Sequence, residues 1–330
     1  MEADSTTYES SSKAEIELSV PFSTCPENYK LYKDLMTNGG DQRLESQLVE
    51  RLQRFGLLPS NVTCPTGKPD CKMLCKSARV IDRVQWICEG CGKRQPVRAG
   101  SFFFRLQCSI QQALQIILAW CEDADLEVAA EHFGVKPKVA TLIYDRLDEL
   151  AVSEHGKTRL GGDNSVVLAE MYPDCVNRLS PDTTDQPHVH RILMLADTNH
   201  IPTSYKLHVI RDDHKKSAAS SDNQALKSEV EEIISSATLP NSVLVVGNNV
   251  PLVEGASSLQ HLLQYCDVDM QRFLSSRIWR GAVALCAAAR SLGAAAARRY
   301  LPAALHRRRH PDHFYRHMLT LLAAHYTDTS

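Results

Sequence analysis

Five cysteines lie between residues 64 and 91, and the last two, Cys88 and Cys91 in "VQWICEGCGK", stand in C-x2-C spacing beside Gly90 and Gly92. Two thiolates from one tight turn can occupy two corners of a tetrahedron, and glycine lets the backbone close around an ion. The other two corners fall to two of Cys64, Cys71 and Cys75; Cys64 and Cys71 are taken as ligands, with Cys75 as the alternative. The chemistry expected is structural zinc binding in a zinc ribbon. So dense a thiol cluster argues against ordinary buried free cysteines. A second set of residues could do chemistry by losing it. The apolar run "SVVLAEM" (165–171) has Ala169 and Glu170 near its end, a place where metal-dependent nucleases often carry an aspartate.

These residues need elements to hold them. "LESQLVERLQRFGLL" has helical spacing at Leu44, Leu48 and Leu52 and stops at Gly56. In "SIQQALQIILAWCED", Ser109 and Gln112 have capping-box spacing ahead of an apolar stripe at Ile110, Leu114, Ile117 and Leu118. "LEVAAEHFGVKPKVATLIYDRLDEL" follows, with Ala130, Gly134, Val135, Val139 and Ile143 in positions that suit a helix-turn-helix. A plain helical hairpin shares most of that pattern. The second helix of the pair begins at Pro137 between Lys136 and Lys138; with Arg146 these are the candidate DNA contacts. From 160 the texture changes to short strands at 165–171, 190–197, 204–210 and 241–247. An amphipathic helix, "NQALKSEVEEIISSA", precedes the fourth, and the chain from 271 reads as helices. Three strands, a helix, a strand and further helices make an α/β layer fold.

At 330 residues the chain can bury two or three cores. Its net charge of −2 does not by itself announce a nucleic-acid partner, but the first twenty residues are acidic and Ser-rich while the C-terminal stretch is rich in arginine. Residues 1–20 are expected to be a disordered tail. No apolar run reaches the roughly 20 residues that span a bilayer, and no signal-peptide pattern opens the chain, so a reducing, intracellular setting is expected. Eleven cysteines, an odd number, then suit metal ligation and free thiols better than a disulfide framework.

In their order, the zinc ribbon, the helix-turn-helix and the strand–strand–strand–helix–strand region resemble the Merlin-type DDE transposases and their insertion-sequence relatives. The landmarks are "GLLPS", W-x-C-x2-C at Trp86–Cys91, R-x-G-S-F-F at Arg98–Phe103, the A-x3-G-V turn, the glycine pair 161–162, Trp279, "RRYLPAALHRRR" and "DHFYRHMLTLLAAHY". The resemblance implies an RNase H-like mixed-sheet domain with C-terminal helices, in which three carboxylates would hold two divalent ions. On that pattern the first acid falls at Ala169, the second at Val246 or Gly247, and the third at Ser276. All three positions are vacant.

The expected organisation is a tail over 1–20, a helix plus zinc ribbon over 40–104, a helix-turn-helix over 105–152 and a degenerate RNase H-like domain over 160–330. The expected function is that of a domesticated transposase, a pseudoenzyme in the nucleus. It would bind structural zinc and DNA, bind no magnesium, and use its RNase H-like domain as a scaffold for protein partners or a homodimer, with no membrane contact. Two alternatives stand beside it. One is an active transposase or nuclease with a relocated site drawing on Glu170, Asp197 and the histidines 188, 190, 200 and 208. The other is a protein-interaction factor that does not bind DNA.

Overall fold

The computed structural model describes residues 19–37, 44–68, 71–172, 190–200, 203–211 and 219–327. The expected tail, all but its last two residues, and His188 lie outside these. The chain is mixed α/β and divides into two compact units, one made of residues 1–141 with 312–330 and the other of 142–311.

The first unit opens with helices α1 (Pro26–Met36) and α2 (Leu44–Phe55), followed by a three-stranded antiparallel sheet. Its strands are β1 (Met73–Ser77), β2 (Val84–Cys88) and β3 (Arg94–Pro96), in that spatial order. Helices α3 (Ile110–Cys121) and α4 (Leu126–His132) follow, and α5 (Pro137–Lys157) begins there. The capping box expected at the start of α3 is present. The Gln112 N–H donates to Ser109 Oγ at 3.1 Å, and the Ser109 N–H donates to Gln112 Oε1 at 3.0 Å. Arg98 explains one landmark. Its guanidinium is buried and donates to Asp82, to the Leu106 carbonyl at 3.0 Å and to the Cys108 carbonyl at 2.8 Å, pinning the chain between the sheet and α3.

The last helix, α11 (Phe314–Thr327), belongs to this unit. Phe314 stacks on Trp120 with ring centroids 5.7 Å apart, and the buried Tyr315 hydroxyl donates to the Leu114 carbonyl at 3.2 Å. The single domain expected over 160–330 therefore ends early, at Pro311. The cause is the apolar stripe of Phe314, Tyr315, Met318, Leu319 and Leu322, all buried here. Burying such side chains contributes about 1.5–3 kcal/mol each, enough to decide which core a helix joins.

The second unit is built on a mixed five-stranded sheet in the order β6-β5-β4-β7-β8. Strands β4 (Val166–Met171), β5 (Ile192–Asp197) and β6 (Ser204–Val209) form an antiparallel meander. Helix α6 (Ala219–Ala237) carries the chain to β7 (Val243–Val246), which runs parallel to β4, and the two-residue β8 (Ser257–Ser258) pairs parallel with β7. Short helices α7 (Leu259–Leu263) and α8 (Val268–Arg272), a π-helical turn (Phe273–Arg277), α9 (Arg280–Ala288) and α10 (Ala294–Arg309) complete it.

Side chains alternate across β4, so the sheet has two apolar faces. Val167, Ala169 and Met171 join Val230 and Ile234 of α6 on one face. Leu168 and Tyr172 join Leu274, Ile278, Trp279, Leu301 and Leu305 on the other. The glycine pair makes the entry to β4. Gly161 and Gly162 have φ of +84° and +125°, which side-chain-bearing residues rarely adopt, and a Cβ on Gly161 would lie 2.2 Å from Ser242 Oγ.

Candidate metal centre and the ends of the central strands

Cys64, Cys71, Cys88 and Cys91 converge, with their sulfur atoms all within 4.8 Å of one another. Cys64 sits in the loop before β1, Cys88 ends β2, and Cys91 follows on the turn that Gly92, at φ +71°, helps to close. Cys75 lies on β1 outside the cluster and is exposed. The Sγ atoms of Cys64 and Cys91 are 3.4 Å apart. Tetrahedral thiolate ligation at about 2.3 Å per bond requires sulfurs about 3.8 Å apart, so small adjustments suffice to seat an ion such as zinc.

The Thr66 hydroxyl lies 3.0 Å from Cys64 Sγ, 3.3 Å from Cys71 Sγ and 3.5 Å from Cys91 Sγ, where it can donate to a thiolate. That contact is the main reason the Cys91 thiol is held down to about 6 and Cys64 is lowered. The same hydroxyl lowers Cys71, but burial and the three neighbouring thiols outweigh it and push Cys71 up to about 11. Four sulfurs this close resist sharing negative charge, and a divalent ion would remove that conflict.

The turn between α4 and α5 is held from three sides. Gly134 adopts φ +64°, the Val135 N–H donates to the Ala130 carbonyl at 2.8 Å, and Gln112 Nε2 reaches the Phe133 carbonyl at 3.0 Å. Ala129 and Ala130 are buried, as close helix approach requires. Lys136 and Lys138 are exposed at the N-terminus of α5, whereas Arg146, further along the helix, is half-buried.

At the ends of the central strands Ala169 stands opposite Val246, and the Gly247 N–H donates to the Ala169 carbonyl at 2.8 Å. The backbone thus brings the first two vacant positions together. Their side-chain directions differ: Ala169 points into the α6 face with Val246, while Glu170 and Gly247 point to the opposite one. The turn that carries Ser276 packs on this second face through Leu274 and Ile278. Ser276 itself is exposed and donates to the Arg272 carbonyl at 2.9 Å. Glu170, not Ala169, therefore shares a sheet face with the segment bearing Ser276. Desolvation raises the Glu170 carboxyl, although the backbone N–H groups of Met171 and Asn249 work against the shift.

Asp197 does not join Glu170. It pairs with Val167, three residues back along β4, so roughly 10 Å separates the two positions at 3.3 Å per residue. Its buried carboxylate accepts from the Gly161 N–H at 2.7 Å and the Asn199 N–H at 2.9 Å, which fixes the glycine turn. His190 bonds the Leu292 carbonyl at 2.7 Å, His200 lies 3.5 Å from Asp197, and His208 is half-buried on β6.

Spacing alone did not reveal that Lys206, His155 and Arg309 meet at the sheet edge. Lys206 is buried and donates to the His155 carbonyl near the end of α5, a helix terminus that favours a cation. Burial first, then Lys206, Arg309, His208 and His306, pushes His155 down to about 2. Neither His155 ring nitrogen has a hydrogen-bond partner among the described residues.

Among the described residues no helix is long and apolar enough to cross a membrane. Comparisons with family models, curated proteins and solved structures find no match to this chain.

Proposed function

We propose that this protein is a transposase-derived DNA-binding factor that has lost strand-cleavage chemistry and acts in the nucleus. Its first unit would carry a zinc ribbon and the start of a helix-turn-helix whose second helix, α5, runs on into the second unit, an RNase H-like scaffold. The four-cysteine cluster followed by the tied α4–α5 turn is the observation that carries the binding half of the reading. A ribbon stabilised by zinc would hold its strands without a large core. The exposed Lys136 and Lys138 flank the first residue of α5, where phosphate contacts orient a recognition helix.

The strand order β6-β5-β4-β7-β8, antiparallel on one side of β4 and parallel on the other, supports the RNase H-like assignment. The strand ends are what supports the loss of activity in this reading. Two-ion phosphoryl transfer needs several carboxylates around the reacting phosphate. Ala169, Gly247 and Ser276 offer none, and Glu170 supplies a single half-buried carboxyl whose ionisation burial disfavours.

Binding of the full chain to duplex DNA across a salt series, with magnesium or manganese added in a parallel cleavage assay, tests both halves. Affinity that falls steeply with salt and no nicking is the expected outcome. Metal-dependent nicking abolished by Glu170→Ala would replace the reading with an active enzyme. Absence of any DNA affinity would replace it with a protein-interaction factor.

A further inference from the structure

Between Met270 and Pro311 the chain carries nine arginines and no lysine, aspartate or glutamate, in a protein whose net charge is −2. The second unit puts this whole stretch on one side of its sheet. Leu274, Ile278, Trp279, Ala282, Ala297, Leu301 and Leu305 turn inward against β4, β5 and β6. The residues between them turn outward, and Arg272, Arg277, Arg280, Arg298, Arg299 and Arg308 are exposed. The opposite side is covered by α6, where Lys227 lies 3.8 Å from Glu231 and Arg211 lies 3.9 Å from Glu229, so both signs of charge are present there.

Six of these nine guanidiniums have local work, among them Arg290, which donates to the Tyr172 hydroxyl at 3.1 Å, and Arg309, which donates to Thr158 Oγ1 at 2.9 Å. Arg299 pairs with Asp145 at 3.1 Å, Arg272 lies 3.8 Å from Asp269, and Arg308 donates to the Gly281 carbonyl at 3.3 Å. Arg277, Arg280 and Arg298 make no hydrogen bond or ion pair among the described residues. Arg277, Arg280 and Arg298, exposed on a layer that holds six further arginines, repel one another, and a polyanion would relieve that repulsion.

We propose that the outer face of the layer formed by the π-helical turn, α9 and α10 is a second nucleic-acid surface, which takes the phosphate backbone without reading sequence. It goes beyond the helix-turn-helix reading, because it assigns binding to the other unit and to different residues. Arginine is the side chain whose planar fork meets phosphate oxygens in pairs. Helix α10 has sixteen residues, about 24 Å of length, which matches about seven phosphates of one strand at 3.4 Å each. The exposed positions among the arginines are small, including Ser275, Ser276, Ala284, Ala287 and Ala288. They supply neither the aromatic anchors of a protein interface nor the apolar stripe that enters a bilayer.

The test uses the full chain and a mixed-sequence DNA duplex, with affinity measured across a salt series. Arg277→Gln/Arg280→Gln/Arg298→Gln should weaken binding tenfold or more at low salt and reduce the slope of log K against log salt by about two to three, at about 0.9 per lost contact. The matching triple lysine variant should keep the slope, and an unchanged thermal midpoint in both would show that folding is intact. Lys136→Gln/Lys138→Gln tests the first unit separately. If only the lysine pair matters, this inference fails while the helix-turn-helix reading stands. If only the arginines matter, the reverse holds. Two further outcomes would overturn the proposal: binding of polyglutamate as tightly as DNA, which would indicate an acidic protein partner, or binding of phosphatidylserine vesicles but not DNA.

Discussion

A Cβ atom placed on Gly247 would lie 1.8 Å from Oε2 of Glu170. The carboxyl at the end of β4 thus fills the space that any side chain after β7 would need. Any residue with a Cβ at 247 therefore has to displace the Glu170 carboxyl. Because the group in the way is the end of a flexible, half-buried side chain, Gly247→Ala should destabilise the protein only modestly, by about 1 kcal/mol or less. Glu170→Ala in the same chain should recover most of that loss. A double-mutant cycle by urea unfolding measures the coupling, expected to be about 0.5 kcal/mol or more, and additive effects would mean that the two residues do not share this space.

Glu170 should also make stability depend on pH. Burial raises its carboxyl above the ordinary 4.5, so the folded protein holds the proton to a higher pH than the unfolded chain does. That contribution is complete below about 4.5 and is lost as pH rises through the folded value. Glu170→Gln should therefore be more stable than the parent at pH 7, with the advantage gone near pH 4. Unfolding curves at the two pH values decide the matter.

The histidines act in the opposite sense. Burial, then the Lys206 charge, pushes His208 down to about 4, and His155 lies lower still. The unfolded chain binds protons at these residues below about 6.5, whereas the folded one does not, so stability falls as pH drops from there. Each histidine contributes up to about 1.4 kcal/mol per pH unit. His155→Leu should flatten this decline between pH 6.5 and 5, since neither ring nitrogen has a partner to lose among the described residues. An unchanged slope in chemical denaturation would remove His155 from the account.

At the cysteine cluster, purified protein should contain one zinc per chain by elemental analysis. Cys88→Ser should lose the metal and lower the thermal midpoint, and a strong chelator should do the same. Cys75→Ser should keep both metal and stability, because that thiol lies outside the cluster.

The Gln112 side chain serves both the cap of α3, accepting from the Ser109 N–H, and the turn after α4, donating to the Phe133 carbonyl. Gln112→Ala should cost about 1–2 kcal/mol, more than a simple surface cap residue. If the turn orients α5 on DNA, affinity should drop as well while the salt slope stays constant, since no phosphate contact is removed.

Local pattern alone located much of this protein. The C-x2-C turn, the Ser109–Gln112 box and the β-branched runs at 166–171, 192–197, 204–209 and 243–246 express interactions between residues a few positions apart, and such interactions are written in spacing. Helix α1 was not legible: "PENYKLYKDLM" is polar and short, and its buried Leu31, Tyr32 and Leu35 gain their meaning from α3 and α11. Nor could spacing select among Cys64, Cys71 and Cys75. Only the pairing of β1 with β2 left Cys75 outside and brought a loop cysteine from well before β1 to the knuckle. The same holds for α11, which a linear reading assigned to the domain it follows. The cation cluster at Lys206, and the face on which Glu170 meets Gly247, likewise depend on strand register and on which helices cover which side of a sheet. Those choices are made by the burial of apolar surface between segments distant in the chain, and no local window contains that free energy.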